Sequence, residues 1–410
     1  MKTYSVGGSV RDELLGRSVS DRDHVVVGGS PEELLALGFK PVGRDFPVFL
    51  HPETHEEYAL ARTERKQGRG YHGFVFHAAP DVSLEEDLRR RDLTINAMAK
   101  AEDGSIIDPY GGRADLEARV LRHVSPAFAE DPLRVLRVAR FAARFDFGVA
   151  SETEALMRAI VAAGELETLA PERLWQELAR ALMEKKPSRF FAVLRRCGGL
   201  HALLPEVDAL FGVPQPFAHH PEFDTGVHVM QAIDYAAAAG DALEVRYAVL
   251  AHDLGKATTF TTAWPRHIAH EQRGSRLADT LSARLKVPSE CRDLARIAAR
   301  YHGIVHRALE LRPATILDLL QDTDSLRRPQ RLHALTRVCA ADALSRPGRG
   351  GSAYLPERVL GEALAVVQSV RARDVLAPDL APEAIARRMH AARVAALSTW
   401  KKGLAQEGAA

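Results

Sequence analysis

The sequence predicts an α+β fold, in which a small α/β head is followed by an all-α body. Short β-rich runs separated by turn residues fill the first 125 positions, whereas Ala, Leu and Arg at helical spacing dominate the remainder. Hydrophobic residues make up 46% of the 410 positions and charged residues 27%, as is ordinary for a globular protein with a substantial core.

Changes in residue pattern divide the chain into four predicted parts. The head covers residues 1–125, a helical neck 126–220, a central helical domain 225–326 and a C-terminal helical region 327–410. Strands are predicted in the head at 23–27, 46–50, 57–61, 73–77 and 105–108.

Charge and cysteine content limit the class of protein. The net charge is only +1, so any contact with nucleic acid must come from a local basic patch. Three widely spaced cysteines indicate a reducing compartment, since an odd number without Cys-x-x-Cys does not fit a disulfide framework. No signal peptide or apolar run of about 18 residues is evident. We therefore expect a cytoplasmic protein with no membrane partner, either monomer or homodimer.

Two aspartates one residue apart, Asp21 and Asp23, precede a Val-Val-Val run at 25–27. Because side chains alternate across a strand, the two carboxylates would lie on one face and could bind a hard cation together. Such a pair beside a glycine turn suits a Mg²⁺ site that activates a hydroxyl group against a triphosphate. Solvated strand ends carry the same pattern without a function, but the neighbouring motifs favour the metal site.

A strand, a glycine turn and a helix start are predicted for the Val-Gly-Gly-Ser-Val-Arg segment at 6–11. Gly8 would let the backbone come close to phosphate, and Ser9 is a candidate helix cap. Exposed N–H groups at the start of the helix would favour an anion, and Arg11 would add a charged donor.

Three arginines at 89–91 are predicted to precede an amphipathic helix with Asp92 in its first turn and Asn96 four residues on. Arg91 is well placed to bind triphosphate oxygens. Glu57, on a predicted neighbouring strand, is a candidate third carboxylate, although an exposed Glu on an edge strand explains it equally well.

The most basic segment runs from 113 to 144, with seven arginines against four acids. Helical spacing puts its last four arginines within roughly 120° of arc, and such a stripe is commonly a solvated face. The motifs upstream favour contact with a nucleotide instead. Asp131 and Arg134, one turn apart, offer an acceptor and donors that match the Watson–Crick edges of cytosine and adenine.

Adjacent His252 and Asp253 follow an apolar helical run, with one histidine upstream and several downstream. An imidazole and a carboxylate can bind one ion, and imidazoles from other helices would complete a transition-metal centre. A single histidine is more often an ordinary surface or core residue. The prediction of a metal centre therefore depends on the whole group of histidines together with Asp253. Lys256 would face phosphate.

Together the motifs at 7–12, 21–23, 90–98 and 130–141 resemble those of bacterial class II CCA-adding tRNA nucleotidyltransferases. The resemblance covers nearly the whole chain and is closest to the long form with an HD domain. It implies a polymerase-beta-like nucleotidyltransferase head with a small mixed sheet, Mg²⁺ on Asp21 and Asp23, and tRNA as partner through its acceptor arm and 3′ end. It also implies CTP and ATP contacts at Gly8, Arg11, Arg91, Asp131, Arg134, Arg137 and Arg140.

The His-Asp-Leu-Gly-Lys segment resembles HD-superfamily metal-dependent phosphohydrolases. By that pattern the metal ligands are His228, His252, Asp253, His270, His302 and Asp342. The resemblance implies 2′,3′-cyclic phosphodiesterase, 2′-nucleotidase and phosphatase activities, with Ni²⁺ as the expected ion, in tRNA 3′-end maturation and repair.

Other proteins fit parts of this pattern. A poly(A) polymerase, or an enzyme adding only part of CCA, would share the head motifs. A guanosine-tetraphosphate synthetase-hydrolase also joins an HD domain to a nucleotidyl-type fold, but it would place the HD domain first. A non-catalytic tRNA-binding protein would not need the candidate metal ligands.

Overall fold

The computed structural model describes residues 1–19, 22–42, 48–66, 74–216, 223–346, 352–375 and 382–407. The chain forms two compact units. The first unit comprises Met1–Ala181 and Arg189–Leu203, and the second comprises Leu182–Ser188 and Leu204–Ala410. Both the predicted head and most of the predicted neck fall in the first unit, so the four-part division stays a prediction.

The strands of the first unit form one mixed seven-stranded sheet and two small two-stranded sheets. In chain order they are β1 (Lys2–Val6), β2 (Asp23–Val27), β3 (Lys40–Val42), β4 (Val48–Leu50), β5 (Glu57–Leu60), β6 (Arg62–Lys66), β7 (Phe74–Ala78), β8 (Ala99–Lys100), β9 (Ile106–Ile107), β10 (Val120–Leu121) and β11 (Gly148–Val149). The large sheet has the order β3-β4-β5-β2-β1-β8-β9, and in it β2 and β5 are parallel whereas the other neighbours are antiparallel.

Strand β2 lies inside the large sheet and is covered on both faces. Val25 packs with Val6, whereas Val26 packs with Leu34 and Phe49 in a separate cluster. A continuous apolar run is what a strand buried on both sides requires, since alternate side chains point to opposite faces. Asp23 therefore shares the face of Val25.

Helices α1 to α9 precede residue 204. They are α1 (Gly8–Leu14), α2 (Pro31–Ala36), α3 (Leu84–Arg89), α4 (Gly112–Ala118), α5 (Leu133–Phe145), α6 (Ser151–Ala162), α7 (Pro171–Leu182), α8 (Ser188–Arg196) and α9 (Gly199–Leu203). Ser83 begins α3 with a capping box completed by Glu86. The predicted cap at Ser9 is wrong: Gly7 is the N-cap of α1, and the Ser9 hydroxyl donates to the Val6 carbonyl.

The predicted order of the arginine triplet and its helix is also wrong. Arg90 and Arg91 follow helix α3, and only a 3₁₀ turn at Thr94–Asn96 comes after them. The Asp92 carboxylate accepts hydrogen bonds from the Leu93 N–H and the Asn96 amide. This local pairing gives the backbone an alternative to a helix at this position.

The described part of the second unit is helical, which completes the predicted α+β fold. After residue 204 the helices are α10 (Pro205–Asp208), α11 (Thr225–Ala238), α12 (Leu243–Ala251), α13 (His270–Arg284), α14 (Ser289–His306), α15 (Pro313–Asp322), α16 (Pro329–Leu344), α17 (Leu355–Ser369) and α18 (Pro382–Glu407). Helix α12 is buried from Val245 onward and packs against α11, α14 and α16. Its end places His252 and Asp253 inside the unit.

No described helix combines the length and apolar character needed to cross a membrane.

Candidate active sites

One cavity of about 500 Å³ in the first unit brings the predicted nucleotide-binding residues together. Its lining includes Asp23 and all seven of those positions, namely Gly8, Arg11, Arg91, Asp131, Arg134, Arg137 and Arg140. Eight arginines and three aspartates line it, so the cavity carries an excess of positive charge and suits an anion.

Asp23 lies at the start of β2 and is exposed. In the parallel pairing of β2 with β5, Asp23 is directly opposite Glu57, so both carboxylates lie on one face of the sheet. Carboxylate oxygens are ligands that Mg²⁺ accepts, and the residues therefore fit such an ion. Asp21 lies outside the described residues. Since Asp23 is exposed, its oxygens are accessible to a cation.

Arg11 in α1 is 3% exposed and forms hydrogen bonds with the carboxylate of Asp12 and the side-chain oxygen of Asn96. Its guanidinium carbon lies 4.9 Å from the ring centre of Phe145. Burial lowers the pKa of Arg11, and Asp12 opposes this by favouring the charged form. These contacts fix the guanidinium at the wall of the cavity.

Arg91 is held by a carboxylate that the sequence analysis did not assign. Asp87 is fully buried and pairs with both Arg90 and Arg91, at 2.8 and 3.2 Å. Burial acts to raise the pKa of Asp87, but the two arginines outweigh it and the pKa is lowered. The Nε atom of Arg91 is buried and has no hydrogen-bond partner among the described residues. Arg91 therefore retains a donor available to an anionic ligand.

The arginine stripe on α5 is bound to acceptors within the first unit and is not a solvated face. Arg137 Nε lies 2.7 Å from Asp92, Arg140 Nε lies 2.6 Å from Glu177, and Arg144 Nη2 lies 2.9 Å from Asp12. Burial acts to raise the pKa of Asp92, but Arg137 and Asn96 outweigh it and hold the pKa well below its ordinary value.

Arg134 and Asp131 both lie at the cavity, as their predicted role requires. Arg134 is 9% exposed and donates to the backbone carbonyls of Ala127 and Arg90. One Asp131 oxygen accepts from the Leu133 N–H, and the other lies 3.8 Å from Arg173. The two carbonyls restrict the orientation of the Arg134 guanidinium while leaving further N–H groups for a ligand.

The second unit places all six predicted metal ligands next to one another, in two groups of three. His228, His252 and Asp342 form one group, and Asp253, His270 and His302 form the other. Within each group the candidate ligand atoms lie within 4.8 Å of one another. Adjacent residues His252 and Asp253 join the groups, with His252 Nε2 only 3.2 Å from the Asp253 carboxylate.

Buried atoms without partners support a metal at these groups. His252 Nε2 and Asp253 Oδ1 are buried and make no hydrogen bond to any described residue. Burying polar atoms without a partner destabilises the fold unless an ion or another ligand binds them. Burial lowers the pKa of His302 to about 3, which leaves its imidazole neutral, the form that binds a metal. The residues therefore fit divalent transition-metal ions.

Several residues around these groups were missed or assigned another role from sequence. Lys256, expected to face phosphate, is 8% exposed and donates to Asp253 and Gln215, both at 2.6 Å. His306 binds Asp342 at 2.7 Å and accepts from or donates to Tyr354 at 2.8 Å. The several downstream histidines were a signal for His306, whereas nothing in the sequence pointed to Tyr354.

Comparisons with known proteins identify the chain. Poly A polymerase head domains match residues 3–122, the family described as "Probable RNA and SrmB- binding site of polymerase A" matches 146–211, and HD domains match 225–346. The multifunctional CCA protein of Dechloromonas aromatica is 60% identical over 399 residues, covering 97% of each chain. This chain belongs to the multifunctional CCA protein family. The protein of the same name from Nitrosomonas europaea is 59% identical over 408 residues, covering 97% of this chain and 99% of the relative.

The family predicted from the motifs is thereby confirmed, and the HD match reaches far enough to include Asp342. Solved structures support the fold. The Bacillus stearothermophilus CCA-adding enzyme in complex with CTP has a TM-score of 0.65 at 22% identity, covering 100% of this chain and 95% of that one. The Thermotoga maritima CCA-adding enzyme complexed with tRNA has a TM-score of 0.61 at 21% identity, covering 97% of this chain and 87% of that one.

Replacing Gly7 by alanine should weaken nucleotide binding. An added Cβ would lie 2.8 Å from Arg91 Nη1, so the guanidinium must move. Gly28 is the control because its φ of +72° is close to the +71° of Gly7, but an added Cβ there would meet no atom within 4 Å. We expect Gly7→Ala to raise the apparent Kd for CTP about tenfold and Gly28→Ala to leave it unchanged, as measured by calorimetry. Equal Kd values for the two variants would contradict this role of Gly7.

Replacing Gly255 by alanine should disrupt the group formed by Asp253, His270 and His302. A Cβ at Gly255 would lie 2.0 Å from the His270 carbonyl oxygen, so helix α13 must shift away. With Ni²⁺ added as a probe ion, we expect the nickel retained after dialysis, measured by elemental analysis, to fall by about half or more, together with a loss of about 2 kcal/mol or more in unfolding free energy.

The control for this prediction is Gly361→Ala on α17, where an added Cβ meets no atom within 4 Å. It should keep its nickel and gain up to about 1 kcal/mol of stability, because alanine is the better helix former. A Gly255→Ala protein with undiminished nickel content would refute the argument.

Proposed function

We propose that this chain adds CCA to the 3′ end of tRNA from CTP and ATP, without a nucleic-acid template. The observation that carries the proposal is the single cavity where Asp23 meets eight arginines. An excess of guanidinium groups suits a triphosphate, and a carboxylate at its edge suits the cation that accompanies one. The structural relatives were solved with CTP and with tRNA, as their names state.

In the proposed reaction the 3′-hydroxyl of tRNA attacks the α-phosphorus of the nucleotide. A new bond forms between that oxygen and the α-phosphorus, and the hydroxyl proton passes to solvent. The bond from the α-phosphorus to the oxygen that bridges the α- and β-phosphates breaks, and pyrophosphate leaves. Mg²⁺ held by Asp21 and Asp23 would lower the pKa of the hydroxyl and balance charge on the phosphates. Arg11 and Arg91 position the triphosphate, and their buried carboxylate partners keep them in place.

Base selection is assigned to Asp131 and Arg134. Cytosine and adenine both present an amino donor next to a ring-nitrogen acceptor. A fixed carboxylate acceptor can bind the amino group, and fixed guanidinium donors can bind the ring nitrogen. Two backbone carbonyls hold Arg134, so the template is largely preformed. Arg137 and Arg140 support α5 beneath it through Asp92 and Glu177.

The HD domain is proposed to hydrolyse 2′,3′-cyclic phosphates, 2′-nucleotides and other phosphomonoesters, with Ni²⁺ bound. The observation that supports this is the pair of ligand groups with buried, unsatisfied His252 Nε2 and Asp253 Oδ1. Divalent ions there would supply Lewis acidity for attack of water on phosphorus. In that attack a P–O(water) bond forms, the ester P–O bond breaks and a proton passes to the leaving oxygen.

The two activities should be separable by mutation. We expect Asp21→Ala and Asp23→Ala each to reduce CMP and AMP addition about a thousandfold while phosphatase activity persists, since only the first site loses ligands. His252→Ala should do the reverse. The assays use tRNA truncated before CCA with labelled CTP, ATP and Mg²⁺, and 2′,3′-cyclic AMP with Ni²⁺.

Asp103→Ala serves as the control, because this exposed aspartate bonds only to Ser105 in the described structure and lines neither site. It should retain both activities. Loss of both activities in either the Asp23 or the His252 variant would mean that the assignment of two separate sites is wrong. A product containing only A would identify a poly(A)-synthesising enzyme instead.

Asp131→Asn should change which nucleotides are accepted. The substitution keeps the size of the side chain but replaces one acceptor oxygen by a donor, so we expect CTP and ATP incorporation to fall about 10- to 100-fold. UTP and GTP, which present the opposite pattern, should be incorporated relatively better. Single-turnover incorporation of each of the four nucleotides measures this, with Glu130→Gln as the neighbouring control. A uniform decrease for all four nucleotides would argue against base reading by Asp131.

A further inference from the structure

A second cavity, of about 680 Å³, lies beside the candidate metal groups of the second unit. Two of its lining residues, His306 and Arg346, also contact the predicted ligand Asp342, at 2.7 and 3.0 Å. These two side chains lie between the cavity and the Asp342 carboxylate on this side. Its volume lies in the range of pockets that bind small organic molecules.

Arg346 carries a donor that no described residue binds. Its Nη2 donates to Asp342, whereas its Nε atom is buried and has no hydrogen-bond partner among the described residues. The residue lies two positions beyond the end of α16, and its side chain is 14% exposed. A guanidinium in this position can bridge Asp342 and a phosphate oxygen on the cavity side.

Another part of the cavity wall is apolar and exposed. Leu309 is 44% exposed and Leu355 is 40% exposed, although both are large hydrophobic side chains. The Tyr354 ring also lines the cavity, and its hydroxyl group bonds His306. Inorganic phosphate or a metal ion would leave this wall in water. A ligand with a planar, partly apolar group would bury this wall, and burying apolar surface lowers the free energy.

We propose that this cavity binds the nucleoside of the phosphate ester hydrolysed at the HD site, with Arg346 binding the phosphate and Leu309 and Leu355 contacting the base. The inference rests on the proposed function of that site and deepens it. It makes the HD domain selective for a nucleotide, free or at the end of an RNA, over a small phosphate ester. His306 and Tyr354 act as positioning residues, because they hold the Asp342 carboxylate from this side.

The test compares two substrates that share a phosphate but differ in the attached group. With the full-length, nickel-loaded protein, Leu309→Ala and Leu355→Ala should each raise KM for 2′,3′-cyclic AMP about fivefold, with kcat little changed. Hydrolysis of glycerol 2-phosphate, a small phosphate ester without an aromatic group, should change less than twofold. Ile268→Ala is the matched control, because Ile268 is 76% exposed in the same unit and does not line the cavity.

Arg346→Gln should lower kcat/KM for both substrates about 50-fold, and Arg346→Lys should recover part of the loss. Nickel content and CCA addition of both variants should match the unmodified protein, which a merely structural role for Arg346 would not allow. Adenosine binding is a readout independent of catalysis: saturation-transfer NMR on the protein without added metal should show contact, weakened in the two leucine variants.

The outcomes distinguish failure of the nucleoside site from failure of the proposed HD activity. If the unmodified protein hydrolyses neither substrate, the proposed HD activity fails. If it hydrolyses both and the leucine variants change KM for the two substrates equally, or not at all, the nucleoside assignment is overturned. Undiminished adenosine contact in both leucine variants would overturn it as well.

Discussion

The first site depends on buried carboxylates that hold arginines around one cavity. Two guanidinium groups about 7 Å apart repel by about 2 kcal/mol at an effective dielectric constant of about 20, so eight of them cannot converge without compensation. Asp12, Asp92 and Glu177 supply it from elements distant in sequence, and Asp87 supplies it within one helical turn of Arg90 and Arg91. Asp12 and Asp87 each bind two arginines, so each of these buried carboxylates fixes two guanidinium groups at the cavity. The same carboxylates therefore support both the fold and the geometry that a triphosphate requires.

The sequence was sufficient to predict much of the first unit. The valine run at 25–27 predicted a strand, and the structure places Val25 and Val26 in different clusters on its two faces. The arginine stripe of α5 was also predicted, but its partners were not. Arg140 and Glu177 are 37 residues apart, and no local pattern shows which acid a helix will meet. The order of α3 and the arginine triplet was missed because Asp92 satisfies the Leu93 N–H locally, which the helical spacing does not reveal.

In the second unit, the residue types of the ligands were predictable and their arrangement was not. Histidine and aspartate at the end of an apolar helix indicated a metal centre, but the division into two groups follows from how α11, α13, α14 and α16 meet. Lys256, which was predicted to face phosphate, has a protein partner for a local reason. Lys256 lies three residues after Asp253 in a 3₁₀ turn, a geometry that stacks residues i and i+3, so the ammonium binds Asp253.

The two sites use opposite charge arrangements, and this explains why composition is a poor guide to either. The first cavity gathers cationic side chains for an anionic ligand, whereas the second centre gathers carboxylates and imidazoles for cations. Each excess is offset elsewhere, so the whole chain carries a net charge of only +1. What selects a ligand is the potential within a few ångströms of it, because solvent and salt screen charges farther away. A near-neutral protein can therefore contain one strongly cationic cavity, provided that buried acids fix where its arginines converge.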